Sequence, residues 1–348
     1  MKSMPIEIKT LTPIWTGGVK GECDILHETG IIGSMRWWYE AIVRGMGGYA
    51  CDPTSDGNAK IPKRCELDDK NFKKSLESGK SVQDALDEQI CLVCQLFGCT
   101  GWRRRFRIEI EKVETINLNF INKLDDIDVG WWIGTTLKKN PKAFFSSNTM
   151  MLKLISEDKE IENKILILLK SIESIGSFGA KSQNGFGIIK YVSDKEFRKS
   201  MISDEVIRYK KKNPDKSNQS EFRTLKDLYK FSLKIKSMDE MMKYFGGEQK
   251  TQDYMLTGFT LKYFLRKRIK EFDNNKISML VINFNEIENL IKNKYPIEKY
   301  NKVSKIVART LFGSDIKEED SKWASLIDIS HTYKKDGKYQ FRVVCFLP

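Results

Sequence analysis

Between Pro5 and Val192 the apolar residues change period in a fixed order, and that order narrows the folds open to this chain more than any single motif. The segment "PIEIKTLTP" at 5–13 alternates Ile6 and Ile8 against Glu7, Lys9 and Thr10, which predicts a half-buried strand. The turn "WTGG" follows. Over residues 30–48 the period becomes helical: Met35, Trp38 with Tyr39, Ile42 and Met46 share a stripe, and Arg36, Glu40 and Arg44 stack at i, i+4, i+8. Alternation returns at Phe106, Ile108 and Ile110, and again in "WWIGTTLK" and "FFSSNTMMLKLIS". A second helical stripe holds Ile161, Ile165, Leu168, Leu169 and Ile172, and "FGIIKYV" reads as a closing strand. Strand, helix, strand, strand, helix, strand is the order of a ferredoxin-like βαββαβ unit.

The rest of the chain repeats the theme. After "LYKFSLKIKS", a strand, come a basic helix over 253–272, a strand in "KISMLVINF" and a helix over 295–313. The end is a hairpin turning at Asp336-Gly337. "LVCQLFG" at 92–98 and "VARTLFG" at 307–313 both close a helix with Leu-Phe-Gly, which favours a duplication. The expected fold is therefore α+β, two ferredoxin-like (RRM-like) domains over 1–200 and 223–348. A polar insertion interrupts the first at about 47–95, and a linker or exposed arm occupies 201–222. At 348 residues the chain has length for two cores, and 40% hydrophobic with 11% aromatic content excludes disorder. No apolar run near the first residues suits a signal peptide and none elsewhere suits a membrane span, so a cytoplasmic protein is expected.

The helix over 160–175 runs into "GSFGAKSQNGFG", Gly176 to Gly187, which poses the question of bound phosphate. A Walker loop ending at Lys181-Ser182 would need glycines where Ile175 and Ala180 stand, and a strand before it rather than a helix. A dinucleotide fingerprint from Gly185 and Gly187 fails at Lys190. Nucleotide-binding enzymes are thereby disfavoured.

Gly179, "AKSQN", then Gly185-Phe186-Gly187 resembles the glycine-rich loop of the RAMP superfamily of CRISPR-associated proteins. Five segments in order, "TPIWTGG", "GSMRWWYEAIVR", "CQLFGCTGWRRRF", "GSFGAKSQNGFG" and "FRVVCFLP", are similar to the family of first RAMP subunits of the Cmr complex, the type III-B CRISPR effector. That resemblance implies a non-catalytic subunit that binds the 3′ region of the guide (CRISPR) RNA and the target RNA paired with it, beside other Cmr subunits. It places target cleavage and nucleotide chemistry in other subunits. It also raises the expectation of zinc, which related RAMP proteins often carry in the insertion.

The chain's own residues suit a binder of polyanions. Its net charge is +13 and its pI about 9.2, although a Lys-rich surface would give the same totals. Trp102 directly before Arg103, Arg104 and Arg105, with Arg107 on the same face as Arg105, combines a stacking group with cations. The structural alternative has Trp102 capping the core and the arginines paired with Glu109 and Glu111. On the first helix, Ser34, Arg36, Trp37 and Arg44 are candidate RNA contacts, with the Gly33-Ser34 backbone N–H groups open to phosphate; an internal ion-pair ladder is the alternative. Trp15, Thr16, Gly17 and Gly18 give an RNA backbone a close approach, and Lys181, Ser182, Gln183, Asn184 and Phe186 complete the set from the glycine loop.

Seven cysteines in a chain expected in the cytoplasm argue for thiols or metal rather than disulfides. Cys91 and Cys94 form a C-x-x-C, and Cys51 and Cys65 lie in the same insertion, a set able to close a structural zinc. The spacings match no standard finger, and Cys99 competes for a place. Histidines number only two, His27 and His331, so acid-base ribonuclease chemistry has one candidate, His27. An endoribonuclease that processes guide RNA is the alternative function; cleavage of repeat RNA dependent on His27 would mark it.

Overall fold

Strand β1, Lys2–Thr10, lies inside the first sheet, its alternate residues Met4, Ile6 and Ile8 buried while Ser3, Pro5, Glu7 and Lys9 face out. The computed structural model of the chain describes residues 2–18, 23, 25–55, 64–111, 113, 115–117, 120–121, 123–124, 127–128, 142–144, 150–192, 200–216, 225, 228–235, 255–256, 258, 262, 314–315, 322–323, 327–330, 333–336 and 338–346. On one side β1 pairs antiparallel with β3, Met150–Ser156, in the register Ile6↔Leu152 and Ile8↔Met150. On the other it pairs with β4, Ile189–Tyr191. Strand β2, Phe106–Ile110, adds to β3 with Ile108↔Leu154, so the sheet order is β2-β3-β1-β4.

Two helices cover one face of this sheet. Helix α1, Glu28–Gly45, buries Ile31, Met35, Trp38, Tyr39 and Ile42, the stripe read from the sequence, whereas Met46 falls just past its end and is exposed. Helix α5, Lys159–Ile175, starts where the Asp158 carboxylate accepts the Ile161 N–H at 2.9 Å, and buries Ile161, Ile165, Leu168, Leu169 and Ile172. Along the chain, the four strands of this sheet and the two helices upon it follow one another as strand, helix, strand, strand, helix, strand, and every pairing within the sheet is antiparallel.

Between α1 and β2 the polar segment forms three helices, α2 (Asp69–Glu77), α3 (Val82–Gln89) and α4 (Leu92–Phe97). It is not wholly a surface feature: Cys51, Leu67, Leu86 and Ile90 join the main core. Residues 201–212, expected in a linker or exposed arm, also need correction. They form α6, Met201–Lys212, whose Ile202, Val206 and Tyr209 are buried at i, i+4 and i+7. The polar residues between them and the Lys210–Lys212 run at the helix end hid that stripe. Ion pairs hold the helix in place: Arg208 meets buried Asp87 of α3, Lys212 meets Asp84, and Glu205 meets buried Lys164 of α5. Burial of the three apolar side chains contributes more than these pairs, about 1.5–3 kcal/mol each. Val206→Ala is therefore expected to lower stability by about 2 kcal/mol in chemical denaturation; an unchanged midpoint would show that α6 is loosely held.

The second half contributes another four-stranded antiparallel sheet. Strand β5, Leu228–Ile235, and β6, Ile327–Ile329, flank β8, Lys338–Phe346, and β7, Tyr333–Lys335, forms the terminal hairpin with β8. The Lys335↔Lys338 pair closes that hairpin, with Asp336 at φ 51° as a tight mirror-image turn requires. Met255 and Leu256, read as the start of a helix, instead pair as a short strand with Phe120 and Ile121. The segment "WWIGTTLK", the strand "KISMLVINF", the helix over 295–313, the second Leu-Phe-Gly and His331 lie outside the described residues. Among the described residues no helix is long and apolar enough to cross a membrane.

Candidate nucleic-acid interface and cysteine cluster

Three segments singled out in the sequence meet in space. The "WTGG" turn and the glycine loop pair through the Ala180 N–H, which donates to the Trp15 carbonyl at 2.8 Å. The Gly179 N–H donates to the Ser34 hydroxyl at 3.1 Å, which itself donates to the Ile31 carbonyl at 2.7 Å. Gly179 and Gly187 have φ of +76° and +82°, and a Cβ on either would overlap a carbonyl oxygen, that of Trp15 or of Phe178. Only glycine allows this approach. From that base Ser182–Asn184 forms one short 3-10 turn, half-buried, with the Lys181 ammonium 5.0 Å from the centre of the Trp15 ring. Burial holds the Lys181 pKa below the usual lysine range.

This geometry corrects several candidate RNA contacts. Trp15 and Phe186 are buried and pack edge to face at 6.2 Å. Thr16 is buried, its hydroxyl donating to the Ile25 carbonyl and accepting the His27 N–H. These aromatics are core because glycine lets the backbone close over them. Helix α1 begins at Glu28, so Gly33 and Ser34 sit inside it rather than at a phosphate-ready start, and the Ser34 hydroxyl is spent on Gly179. Gly17 is exposed and Gly18 half-buried. What this face offers to a ligand is Lys181 with Ser182, Gln183 and Asn184.

The strand entry 102–107 divides in the same way. Trp102 is half-buried against Phe72 at 6.0 Å, and its indole N–H donates to the Gln95 carbonyl at 3.1 Å, so it caps the core. Arg104 lies over the Phe106 ring at 5.5 Å and donates to the Phe106 carbonyl. Burial, then neighbouring Arg107, pulls its pKa below the usual arginine value. Arg105 is tied to Glu157 at 3.0 Å and Asp158 at 2.9 Å, acids other than the Glu109 and Glu111 considered from the sequence. Arg103 keeps a side chain 78% exposed with one long contact to Glu157, and Arg107 is exposed.

The third group is the cysteines. Sulfurs of Cys51, Cys65, Cys91 and Cys94 lie within 4.8 Å of one another, although 43 residues separate the first from the last. Cys51 and Cys94 are 3.5 Å apart and Cys91 and Cys51 3.8 Å. The Cys91 N–H points to the Cys65 sulfur at 3.3 Å. Around them stand two of the arginines expected on RNA. Arg36 donates to the Cys94 sulfur at 3.2 Å, to the Gly98 carbonyl at 2.8 Å and to Glu40 at 3.0 Å. Arg44, buried, reaches Glu40 at 3.6 Å and the carbonyls of Ala50 and Cys51. The ladder thus faces the cluster. Trp37, half a turn away, is partly exposed and lies 4.7 Å from Trp38 and 6.1 Å from Phe346 of β8.

A sequence model of the RAMP superfamily matches residues 7–190, more than half of the chain and part or all of each strand of the first sheet. This chain is a RAMP superfamily protein. Among solved structures, Cmr1 from Pyrococcus furiosus in its apo form is 17% identical, with a TM-score of 0.49 over 100% of this chain and 88% of that one. Chains of the type III-B Cmr-beta bound to cognate target RNA, with and without AMPPnP, are 13% and 12% identical. They have TM-scores of 0.38 and 0.37, covering 98% and 99% of this chain and 94% of theirs. A search of curated proteins returned no match.

Within this RAMP protein, sequence reasoning found the loop, the strand entry and the cysteines, but missed Arg36 and Arg44 as braces of the cluster. Their i, i+4, i+8 spacing was visible; their partners, up to 62 residues away, were not.

Proposed function

We propose that this RAMP protein is the first RAMP subunit of a type III-B CRISPR effector, a non-catalytic part that grips the 3′ region of guide RNA and the paired target RNA among other Cmr subunits in the cytoplasm. The observation that carries the reading is the ordered set of five segments, two of which, "TPIWTGG" and the glycine loop, are bound to each other through Trp15 and Ala180. Arg103, Arg107 and the edge Lys181–Asn184 supply backbone contacts without sequence preference, and base pairing in the RNA supplies specificity. The β2-β3-β1-β4 order supports a ferredoxin-like first half, and we infer a second such unit around β5, β6 and β8.

Cys51, Cys65, Cys91 and Cys94 would hold zinc. Four thiolates leave no open coordination position, so the ion's chemistry there is a crosslink and not catalysis. Arg36, on Cys94, offsets the negative charge such a site carries.

The test is RNA binding by the full chain, with Arg103→Ala/Arg107→Ala as the variant. Each lost phosphate contact reduces the log–log salt slope by about 0.7, so the double variant should lose about 1.4 and bind several-fold more weakly. Its melting temperature should not move, since exposed charges contribute little. Absence of RNA binding, together with absence of RNA crosslinks from this chain in an assembled complex, would overturn the proposal. Cleavage of repeat RNA lost in His27→Ala would replace it with an endoribonuclease.

A further inference from the structure

Helix α5 ends without local partners for its last carbonyls, and the second half of the chain supplies them. No basic residue stands in its last turn, and the Glu173 carboxylate there is unfavourable at a helix C-terminus. Lys170 pairs with that carboxylate at 2.7 Å. Arg342 of β8 reaches the carbonyls themselves from 166 to 169 residues away, its guanidinium donating to Glu173 at 3.1 Å, to Ser174 at 3.4 Å and to Gly176. The residue is buried, and burial draws its pKa down to about 10, which leaves it charged at neutral pH. A planar fork of fixed donors holds three carbonyls in one arrangement, as a flexible ammonium does not.

The third of these carbonyls belongs to the first residue of the glycine loop, so the group that closes α5 also fixes where the loop departs. A second connection runs through the backbone of Arg342. Its N–H donates to the Ser330 hydroxyl at 2.8 Å, and its carbonyl accepts the Ser330 N–H at 2.9 Å. Ser330 directly follows β6, and β6 lies against the 3-10 turn Ser182–Asn184. Between loop and sheet remains a polar cavity of about 20 Å³ bounded by Ser177, Ser182, Asp328 and Ser330. That is room for no more than about one water, so a shift of β6 or β8 is passed on to the loop. Phe346 of β8 also meets Trp37 at 6.1 Å and Trp38 at 6.4 Å, but such apolar contacts carry no direction, whereas the hydrogen bonds of Arg342 do.

We propose that Arg342 is a positioning residue for the glycine loop: through it the second half sets the pose in which Lys181, Ser182, Gln183 and Asn184 meet an RNA backbone, so that displacing the second sheet weakens the loop's hold. The inference rests on the RNA-binding reading for its ligand and on the hydrogen bonds above for its coupling. Arg342 is itself buried away from RNA. It acts by removing loop poses that cannot bind, which lowers the ordering cost of association.

The experiment uses the full chain and reads hydrogen exchange at the amides of 177–187 beside photo-crosslinking to 4-thiouridine RNA of mixed sequence. In Arg342→Lys the loop amides should exchange about tenfold faster, while those of the β1–β3 pairing keep the parent rates. Crosslinks at 181–184 should fall about threefold relative to those at 103–107 in the same molecules, a ratio that a general loss of stability does not move. Phe341→Leu is the control. Phe341 is buried on the opposite face of β8, so its truncation weakens the second sheet, leaves the guanidinium in place and should keep both loop readings at the parent values. Where Arg342→Lys fails to fold, Ser330→Ala, which removes the acceptor of the Arg342 N–H and keeps the charge, should show the same two changes in weaker form. Parent exchange rates in both variants, or an equal loosening in Phe341→Leu, overturn the proposal. Faster exchange with an unchanged crosslink ratio overturns it as well, since the loop would then be held by Arg342 but not for RNA. If the parent chain binds no RNA, this proposal and the functional reading both fail. If it binds RNA and Arg103→Ala/Arg107→Ala weakens it while Arg342→Lys keeps the parent loop readings, only this proposal fails.

Discussion

Zinc should be found in the purified chain at about one ion per molecule, and Cys94→Ser or chelation should lower stability on the order of 5 kcal/mol or more. Tetrahedral zinc with bonds of about 2.3 Å places thiolates about 3.8 Å apart. The sulfur separations of 3.5 Å for Cys51 with Cys94 and 3.8 Å for Cys91 with Cys51 lie close to that edge. The loss is large because the ligands come from separate places: the segment after α1, the segment before α2, and the start of α4. Cys51, Cys91 and Cys94 are also core residues beside Leu86, Ile90 and Val93, so releasing the ion loosens the packing of α4 against α1. Arg36→Met offers a finer version. Removing the donor to Cys94 while keeping every ligand should weaken zinc retention about 10–100-fold. Mass spectrometry of the intact protein with a chelator-challenged melt decides the matter: protein isolated without metal, with a melt indifferent to chelator, would show that the four thiols are only a packed cluster.

The cysteines show how far the sequence could carry the argument. A C-x-x-C and two further cysteines in one polar segment named the right four, although their spacing matched no known finger and Cys99 remained a competitor. Periodicity gave the two helical stripes and the alternation in β1 and β2, because burial on one face leaves a pattern in the chain itself. Direction was what the sequence lacked. Arg36, Glu40 and Arg44 form the spacing of a solvated ladder, yet α4 and the Cys51 segment cover that side of α1, and the ladder becomes a brace. Trp15 and Phe186 read as RNA contacts because they sit among glycines, and those same glycines bury them.

Gly187→Ala tests the loop most sharply, with an expected loss on the order of 3–4 kcal/mol and weakened RNA binding. A left-handed φ of +82° costs an alanine about 1–2 kcal/mol by itself. The added methyl would also overlap the Phe178 carbonyl, which cannot retreat freely because the Phe178 N–H donates to the Gly187 carbonyl at 2.8 Å and the Gly187 N–H donates to Pro13 at 2.8 Å. Relief of that overlap requires parting the loop from the first strand's end, which unseats Phe178 and Phe186, both fully buried, and Trp15 with them. Gly33→Ala is the matching control: nothing lies within 4 Å of a Cβ there and the position is helical, so stability should rise by about 0.5–1 kcal/mol. Denaturant midpoints separate the two. Because Lys181 and Asn184 hang from the hinge that Gly179 and Gly187 make, a folded Gly187→Ala protein at low temperature should still show fewer crosslinks at 181–184 than the parent; equal crosslinking would mean the loop's shape is structural and not part of how RNA is held.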